Sequence, residues 1–220
     1  MTGPSSHFLL HTVSAFNLAL CPAYAAVSMV DTFDQGGFSI TGSGPMADET
    51  VSLPLAQRRV ASFRTLIGTT ATQTSTLNSS TGTLTMFVSG ISPSPTFPHA
   101  LELVYQRGGP NNITGCTDFI LGFSELSGVG SLYIEFGSSE GSAGIHRVDL
   151  TGAGDILFPV ANVRPSASNS VDSFNILRFI FEARSTEFSF TLNEIRLVPE
   201  PSGALLALAA GAGLLARRRR

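Results

Sequence analysis

The chain has 220 residues with no Trp and no Lys, so all 13 of its basic residues are Arg. Four of these Arg end the chain, which leaves nine against 16 carboxylates elsewhere. This acidic balance excludes nucleic acid as a partner, because phosphates require clustered basic side chains. The two cysteines, Cys21 and Cys116, are too few for a disulfide framework or a cysteine-bound metal cluster.

An apolar segment near the N-terminus predicts an export signal. Residues 8–20 are mostly apolar, and Ala23 and Ala25 flank Tyr24 in the small-x-small pattern of a signal cleavage site. Cleavage after Ala25 makes residues 1–25 a signal peptide, although the residues before the apolar segment lack Lys and Arg. A lipoprotein signal ending at Cys21 is the alternative, which the large preceding side chain disfavours.

Residues 26–198 are predicted to form an all-β domain, because apolar residues alternate with polar ones and no amphipathic helix is evident. Short strands separated by turns favour a β-sandwich of jelly-roll type. The Phe-rich strands from Phe174 to Phe190 should be central, with Phe179 and Phe190 in the core. A β-bulge at Asn193-Glu194 would return the last strand to its inward face. Alternation is clearest at residues 84–88, 101–105, 119–123, 132–136, 148–150, 156–158, 177–181 and 188–192.

Turn and low-complexity signals divide this domain. Glycine-rich stretches at 108–112, 128–130, 137–144 and 151–155 predict turns. Residues 69–85 are mostly Ser or Thr, and we expect them to form an exposed edge hairpin or to carry O-linked sugar.

Residues that could support nucleophilic catalysis are scattered. Residues 122–126 (Gly-Phe-Ser-Glu-Leu) lack the last glycine of a nucleophile elbow around Ser124. His99 and His146 are interpreted as solvated loop residues, and Cys116 as a small packed residue rather than a thiol nucleophile. We therefore predict no catalytic residue.

Carboxylates give two further alternatives. A glycosidase pair could be drawn from Glu182, Glu187 and Glu194, but outward glutamates on a sheet more often serve solubility. Calcium is the one cofactor considered, since loop carboxylates in extracellular sandwiches can bind it. Its candidate ligands are Asp31, Asp34, Asp149 and Asp155. No metal ligand is predicted, because their spacing matches no calcium-binding motif.

The C-terminal 22 residues have the organisation of a membrane anchor. Pro199 and Pro201 should end the last strand, because Pro lacks the N–H that a ladder needs. Residues 203–216 carry no charge, and as a helix they would be about 21 Å long. We predict a single transmembrane helix, shorter than the hydrocarbon core of about 30 Å and accommodated by local thinning. The positive-inside rule holds the stop-transfer residues on the cytoplasmic side and residues 1–198 outside; these are Arg217, Arg218, Arg219 and Arg220.

This tail resembles the PEP-CTERM sorting signal. The match consists of the motif Val198-Pro199-Glu200-Pro201-Ser202, the short apolar helix and the terminal Arg cluster, in that order. The resemblance implies recognition by an exosortase, a membrane-embedded protease, followed by release or transfer to the cell surface. The segment Asp31-Thr32-Phe33-Asp34-Gln35-Gly36 also resembles the start of many bodies in this group.

The expected function is therefore that of a non-enzymatic exported protein of the cell surface or extracellular matrix. Its inner-membrane intermediate would be held through the C-terminal helix. The alternative is a module that binds carbohydrate in the exopolysaccharide layer. An exposed groove lined by Tyr105, Tyr133 or Phe side chains would favour that alternative, because sugar-binding surfaces need exposed aromatic rings.

Overall fold

The computed structural model describes residues 28–42, 46–64, 72–90, 99–138, 141–162 and 173–200. These residues form β-strands and a single 3₁₀ turn, Val160–Asn162. The strands are β1 Ser28–Asp31, β2 Gly37–Thr41, β3 Met46–Leu53, β4 Ala56–Arg64, β5 Thr72–Asn78, β6 Thr83–Ser89, β7 His99–Asn111, β8 Cys116–Ser127, β9 Gly130–Ser138, β10 Gly141–Leu150, β11 Gly154–Pro159, β12 Phe174–Ala183 and β13 Glu187–Pro199.

The strands form two antiparallel sheets that pack as a sandwich. Sheet I has the order β11-β8-β13-β6-β5-β2, with β1 also paired to β13. Sheet II has the order β10-β9-β12-β7-β4-β3. The chain alternates between the sheets from β6 to β9 and from β10 to β13, the kind of repeated crossing that a jelly roll requires.

The predicted β-sandwich and its central strands are confirmed. β12 lies between β9 and β7 in sheet II, and β13 lies between β8 and β6 in sheet I. The register of β13 against β8 shifts between Leu192 and Glu194, as the predicted bulge requires. Ile195 and Leu197 consequently return to the core, where each is at most 1% exposed.

Three sequence expectations about the strands are wrong. Most of the predicted turn at 137–144 is paired strand, because β10 already pairs with β9 at Gly141 and Ser142. The predicted turn at 108–112 lies largely within β7, where residues 107–110 bulge between the pairs Gln106–Ile176 and Asn111–Phe174. β5, from the Ser/Thr-rich segment, is not an edge strand, because β2 pairs with its other side. A polar strand can occupy that place since its inward groups find partners: the Ser75 hydroxyl, for example, donates to the Thr85 carbonyl at 2.8 Å.

Aromatic rings from both sheets meet in the core. The ring centroids of Phe119 in sheet I and Phe179 in sheet II are 5.8 Å apart. Those of Phe181 in sheet II and Phe190 in sheet I are 4.8 Å apart. The burial predicted for Phe179 and Phe190 is confirmed, with 0% and 2% of each residue exposed.

Truncation of Phe179 should therefore be severe. Phe179→Ala removes a fully buried ring that contacts Tyr105 and Phe119, and it should lower the free energy of unfolding by about 3–5 kcal/mol. Phe87→Ala is the matched control, because Phe87 is 45% exposed and lies outside the core. Urea titration of both variants measures the difference, and equal losses would contradict the assignment of the core.

A buried ionic network joins the two sheets where the described chain begins. Asp31, at the end of β1, is fully buried and accepts from the Phe33 backbone N–H at 2.7 Å. Its other oxygen accepts from Arg59 on β4 at 2.6 Å and from the Tyr105 hydroxyl on β7 at 2.7 Å. Burial and the Asp31 charge raise the pKa of Tyr105 well above its ordinary value, so the phenol remains a donor.

The same network explains the Asp-x-Phe-Asp-x-Gly segment. Arg59 also donates to the Gln35 carbonyl and to Glu49, the latter at 2.7 Å, which holds the loop after β1 against β3. Gly36 has a φ of +73°, and a Cβ there would overlap the Glu49 carboxylate, so only glycine fits. Phe33 has a φ of +55° and is completely buried, a strained conformation that its surroundings maintain.

Removing the Asp31 charge should strongly lower the free energy of unfolding. Asp31→Asn leaves the buried Arg59 without its closest counter-ion, and breaking a buried pair costs about 3–5 kcal/mol. Asp48→Asn is the control, because it breaks the exposed ion pair between Asp48 and Arg58, the residue before Arg59 on β4. Denaturant titration should show a large loss for the first variant and almost none for the second, whereas similar midpoints would show that the network does not hold the fold.

Candidate functional site

The outward side of sheet II carries a dense array of polar side chains, which we call the polar face. Alternation along β12 places Phe179 and Phe181 in the core, so Arg178 points outward. The neighbouring strands contribute side chains through cross-strand pairs such as Arg178–Glu135 and Ile180–Tyr133. The polar face consists of Asp48, Arg58, Glu102, Gln106, Ser131, Tyr133, Glu135, Arg178, Glu182 and Arg184.

Arg178 lies at the centre of this face between two glutamates. Its Nε is 2.7 Å from Glu102 on β7, and its Nη1 donates to Glu135 on β9. The Arg178 side chain is 23% exposed, whereas those of Glu102 and Glu135 are only 8% and 11% exposed. The guanidinium is therefore fixed from both sides and still reaches solvent.

A second cluster surrounds Arg184, directly after β12. Arg184 donates to Glu182 at 2.7 Å, to the Tyr133 hydroxyl at 3.0 Å and to the Ser131 hydroxyl at 2.7 Å. Burial lowers the pKa of Arg184, but the hydrogen bond and charge of Glu182 together with the contact to Tyr133 outweigh it, so the net shift is upward. Tyr133 is thereby held as a half-buried aromatic ring on the outward side of the sheet.

The third cluster lies near the β3 edge of the sheet. Arg58 donates through Nε to Asp48 at 2.6 Å and through Nη1 to Gln106 at 3.0 Å. Hydrogen bonding to Arg58 lowers the pKa of Asp48, and the same pair raises the pKa of Arg58. Between the clusters lie buried apolar side chains, which form a floor under the polar groups: Val60, Val104 and Ile180.

Chemically, this arrangement offers fixed hydrogen-bond donors and acceptors side by side. The clusters contain three guanidinium groups and four carboxylates, a formal charge of −1 over the whole face. Polar groups arranged over an apolar floor are typical of binding sites for small polar molecules. Glu102 and Glu135 both contact the same guanidinium, so each of these carboxylates is engaged in an ion pair.

The structure places the predicted sorting motif only in part. β13 continues to Pro199, opposite Cys116, and the Glu200 N–H donates to the Gly115 carbonyl at 2.6 Å. Proline is tolerated there because it is the last residue of the strand. The predicted sites outside the described residues are Ala23, Ala25, Pro201, Ser202 and Arg217 to Arg220.

The predicted membrane segment, residues 203–216, also lies outside the described residues. Within the ranges that the structure describes, no helix is long and apolar enough to cross a membrane.

Neither histidine lies in a loop, contrary to the sequence interpretation. His99 is not a solvated loop residue: it begins β7, is 1% exposed and lies 3.1 Å from the Gln73 side-chain oxygen through Nδ1. Burial lowers its pKa, which keeps the ring neutral. His146 lies on β10 opposite Ile134 rather than in a loop, because the Gly/Ser-rich stretch pairs as a strand.

The other nucleophile candidates are placed apart from one another. Cys116 is half-buried at the start of β8 and packs against the core, as predicted. Burial and the nearby Glu200 raise the pKa of its thiol, which favours the unreactive protonated form. Ser124 is exposed on β8, and its hydroxyl donates to the Asn193 side chain at 3.1 Å.

The carboxylates considered for calcium are dispersed. Asp31 is occupied by Arg59 and Tyr105, Asp149 pairs with Arg147 at 3.0 Å, and Asp155 pairs with Arg196. Asp34 is exposed in the loop after β1. In the part of the chain that the structure describes, no three His, Cys, Asp or Glu residues are grouped to hold a metal ion.

The glutamates considered for catalysis are also separated. Glu182 belongs to the polar face, whereas Glu194 lies in sheet I and is 3.1 Å from Arg196. Glu187, at the start of β13, is exposed. Two of the three therefore carry ion pairs, and the three do not form one site.

Sequence reasoning did not assemble the polar face, although it assigned several of its members to the outward sides of their strands. Alternation shows that Glu102, Tyr133 and Arg178 point away from the core. It does not show that β7, β12 and β9 are neighbours. Exposure of Tyr105 or Tyr133 in a groove would have favoured carbohydrate binding; Tyr105 is fully buried, and Tyr133 alone of the two lies outside the core.

No protein-family model matches the chain, and no curated protein sequence matches it. Among solved structures, it is similar to the family 11 carbohydrate-binding module of a cellulosomal cellulase of Clostridium thermocellum, with 12% identity over 79% of this chain and 94% of that one, and a TM-score of 0.42. It is also similar to an exo-β-agarase, with 9% identity over 79% of this chain and 26% of the agarase, and a TM-score of 0.41. A family 22 carbohydrate-binding module of Clostridium thermocellum has 10% identity over 80% of this chain and 98% of its own, with a TM-score of 0.31. These values are too low to indicate a shared ligand or activity.

Proposed function

We propose that the chain is a non-catalytic carbohydrate-binding protein whose polar face binds an uncharged polysaccharide. The observation that carries this proposal is the set of fixed guanidinium–carboxylate clusters on one face of sheet II, one of which holds the hydroxyl group of Tyr133. A sugar hydroxyl both donates and accepts hydrogen bonds, and each cluster presents a donor beside an acceptor. The ring of Tyr133 adds an apolar surface for the C–H groups of a sugar.

The charge of the polar face favours a neutral ligand. Its guanidinium groups are each paired with carboxylates, and the remaining excess is a single negative charge. An anionic polymer would lose hydration without gaining an unpaired cation, so it should bind poorly. Neutral hydroxyl groups face no such penalty.

The size and stiffness of the polar face suit an extended ligand. Six strands at about 4.8 Å spacing make the face about 24 Å wide, enough for several linked sugars. The side chains are carried by strands and held by one another, so little conformational entropy is lost when a ligand binds. An uncharged polysaccharide running across the strands could contact all three clusters.

Paired substitutions test the polar face without leaving a buried charge unpaired. Asp48→Ala with Arg58→Ala removes one exposed ion pair from the polar face, and Asp155→Ala with Arg196→Ala removes a comparable pair from sheet I. Binding to mixed-linkage β-glucan, xylan and agarose is measured by affinity electrophoresis. We expect the first variant to lose about tenfold in affinity and the control to match the unmodified chain.

Tyr133→Ala should weaken binding by a similar factor, whereas Tyr133→Phe should retain most of it because the ring remains. Equal affinity of the polar-face variants and the control would exclude this face as the site.

We also propose that the protein is exported and delivered through its PEP-CTERM tail by an exosortase, with transient insertion of the C-terminal helix. The order of Pro-Glu-Pro, apolar segment and Arg cluster supports this. A polysaccharide-binding surface is consistent with a place outside the cell. Mass spectrometry of the protein from native envelopes should find Ala26 as the N-terminus and a C-terminus near Pro199 to Pro201. Recovery of residues 1–20 on the mature chain would contradict export by signal cleavage.

A further inference from the structure

The opposite side of the sandwich carries a second distinctive surface, which we call the hydroxyl face. It is the outward side of β2, β5, β6 and the first half of β13 in sheet I, with Glu187 at the start of β13 as a charge at its border. Its members are Ser39, Thr41, Thr72, Thr74, Thr76, Thr85, Phe87, Ser89, Ser189 and Thr191.

Strand pairing aligns these side chains in rows across the sheet. One row pairs Ser39 with Thr76, Thr76 with Thr85, and Thr85 with Thr191. The hydroxyl oxygens of Ser39 and Thr76 are 3.3 Å apart. Neighbouring positions in a row are about 4.8 Å apart, so the hydroxyl groups repeat at a regular interval.

Phe87 occupies the middle of the hydroxyl face. The next row pairs Thr41 with Thr74, Thr74 with Phe87, and Phe87 with Ser189. Along β6, Thr85 and Ser89 precede and follow Phe87 on the same side. The ring is therefore an apolar patch with hydroxyl side chains on four sides.

The exposure of Phe87 is unusual for this protein. Of the phenylalanines in the described ranges, Phe87 alone is classed with the exposed large apolar residues, at 45%. It belongs to a strand with neighbours on both sides, where no edge or loop forces it outward. An exposed aromatic ring bordered by hydrogen-bonding groups matches a sugar ring, which has apolar faces and hydroxyl groups at its rim.

The charges nearby favour an uncharged ligand here as well. Glu125 lies opposite Thr191 on β8, and Glu187 lies opposite Ser89, so both carboxylates border the hydroxyl face. No basic side chain on these rows could attract an anionic polymer or an anionic membrane. One exposed ring is also too small an apolar area for a stable protein interface.

We propose that the hydroxyl face is a second polysaccharide-binding surface, centred on Phe87. The polar face and the hydroxyl face lie on opposite sides of a sandwich whose sheets are about 10 Å apart, so one extended chain cannot occupy both. The protein therefore links two polysaccharide chains. This linking role rests on the proposed function of the polar face, whereas polysaccharide binding by the hydroxyl face is independent of it.

The test measures linking directly with the full chain. Particles coated with mixed-linkage β-glucan, xylan or agarose are incubated with the protein and with a fluorescently labelled soluble form of the same polysaccharide. The unmodified chain should capture the label, and Phe87→Ala should reduce capture about tenfold while it still binds the particles. Phe87→Tyr keeps a ring and should still capture, as should the control Leu157→Ala, which removes an exposed apolar side chain from edge strand β11 of the same sheet.

A second arm separates this inference from the proposed function. In the variant lacking the Asp48, Arg58 and Tyr133 side chains, the hydroxyl face should supply most of the remaining polysaccharide binding, and adding Phe87→Ala should lower that binding about a further tenfold. Phe87-dependent binding supports the inference even if the polar-face variants bind normally.

Three outcomes would overturn the inference. Unchanged capture by Phe87→Ala, or the absence of Phe87-dependent binding to every polysaccharide, would exclude the hydroxyl face. Light scattering that shows a Phe87-dependent dimer would assign this surface to a second copy of the chain instead.

Discussion

The buried contact of Asp31 with Arg59 and Tyr105 constrains the structure more than any other. A carboxylate and a guanidinium that are both fully buried must stay paired, because either charge alone would be costly in the core. This requirement fixes Arg59 on the inward side of β4. Since strand side chains alternate, it also fixes Arg58 and Val60 on the outward side, where they belong to the polar face. The same contact joins β1 of sheet I to β4 and β7 of sheet II, so a binding surface on one side of the molecule depends on an ion pair inside it.

The central strand β12 also couples the core to the surface, because its inward rings and its outward polar side chains alternate along one backbone. Phe179 and Phe181 bury their rings against sheet I, while Arg178 and Ile180 point to the polar face. Movement of Arg178 along the sheet would require the rings beside it to leave a closely packed core. The guanidinium is consequently positioned by packing as well as by Glu102 and Glu135. On β6 the aromatic residue is instead on the surface: Leu84, Met86 and Val88 fill the core, and Phe87 faces outward.

Local alternation was enough to predict most strands from Thr83 onward, the bulge in β13 and the burial of Phe179 and Phe190, but not the first half of β10, which was expected to be a turn. It was not enough for the strands before residue 78, where polar residues such as Arg59, Gln73 and Ser75 point inward and are buried through specific partners. His99 was misplaced for the same reason. Neither surface could be assembled from the sequence, since Glu102, Glu135 and Arg178 come from distant strands that only the sheet order makes neighbours. Alternation places Phe87 on the side opposite to Leu84, Met86 and Val88, but only the sheet order shows that it lies between Thr74 and Ser189.

The end of β13 determines how the molecule would respond to pulling. This strand hydrogen-bonds to β8 and β6 in the middle of sheet I, and the chain leaves it at Pro199, with Glu200 still tied to Gly115. A force applied beyond Glu200 along the strand axis would load the ladder hydrogen bonds on both sides together, so they would have to break together rather than one after another. A tether attached there would hold the sandwich by a strand that is paired on both sides, a geometry that resists mechanical shear.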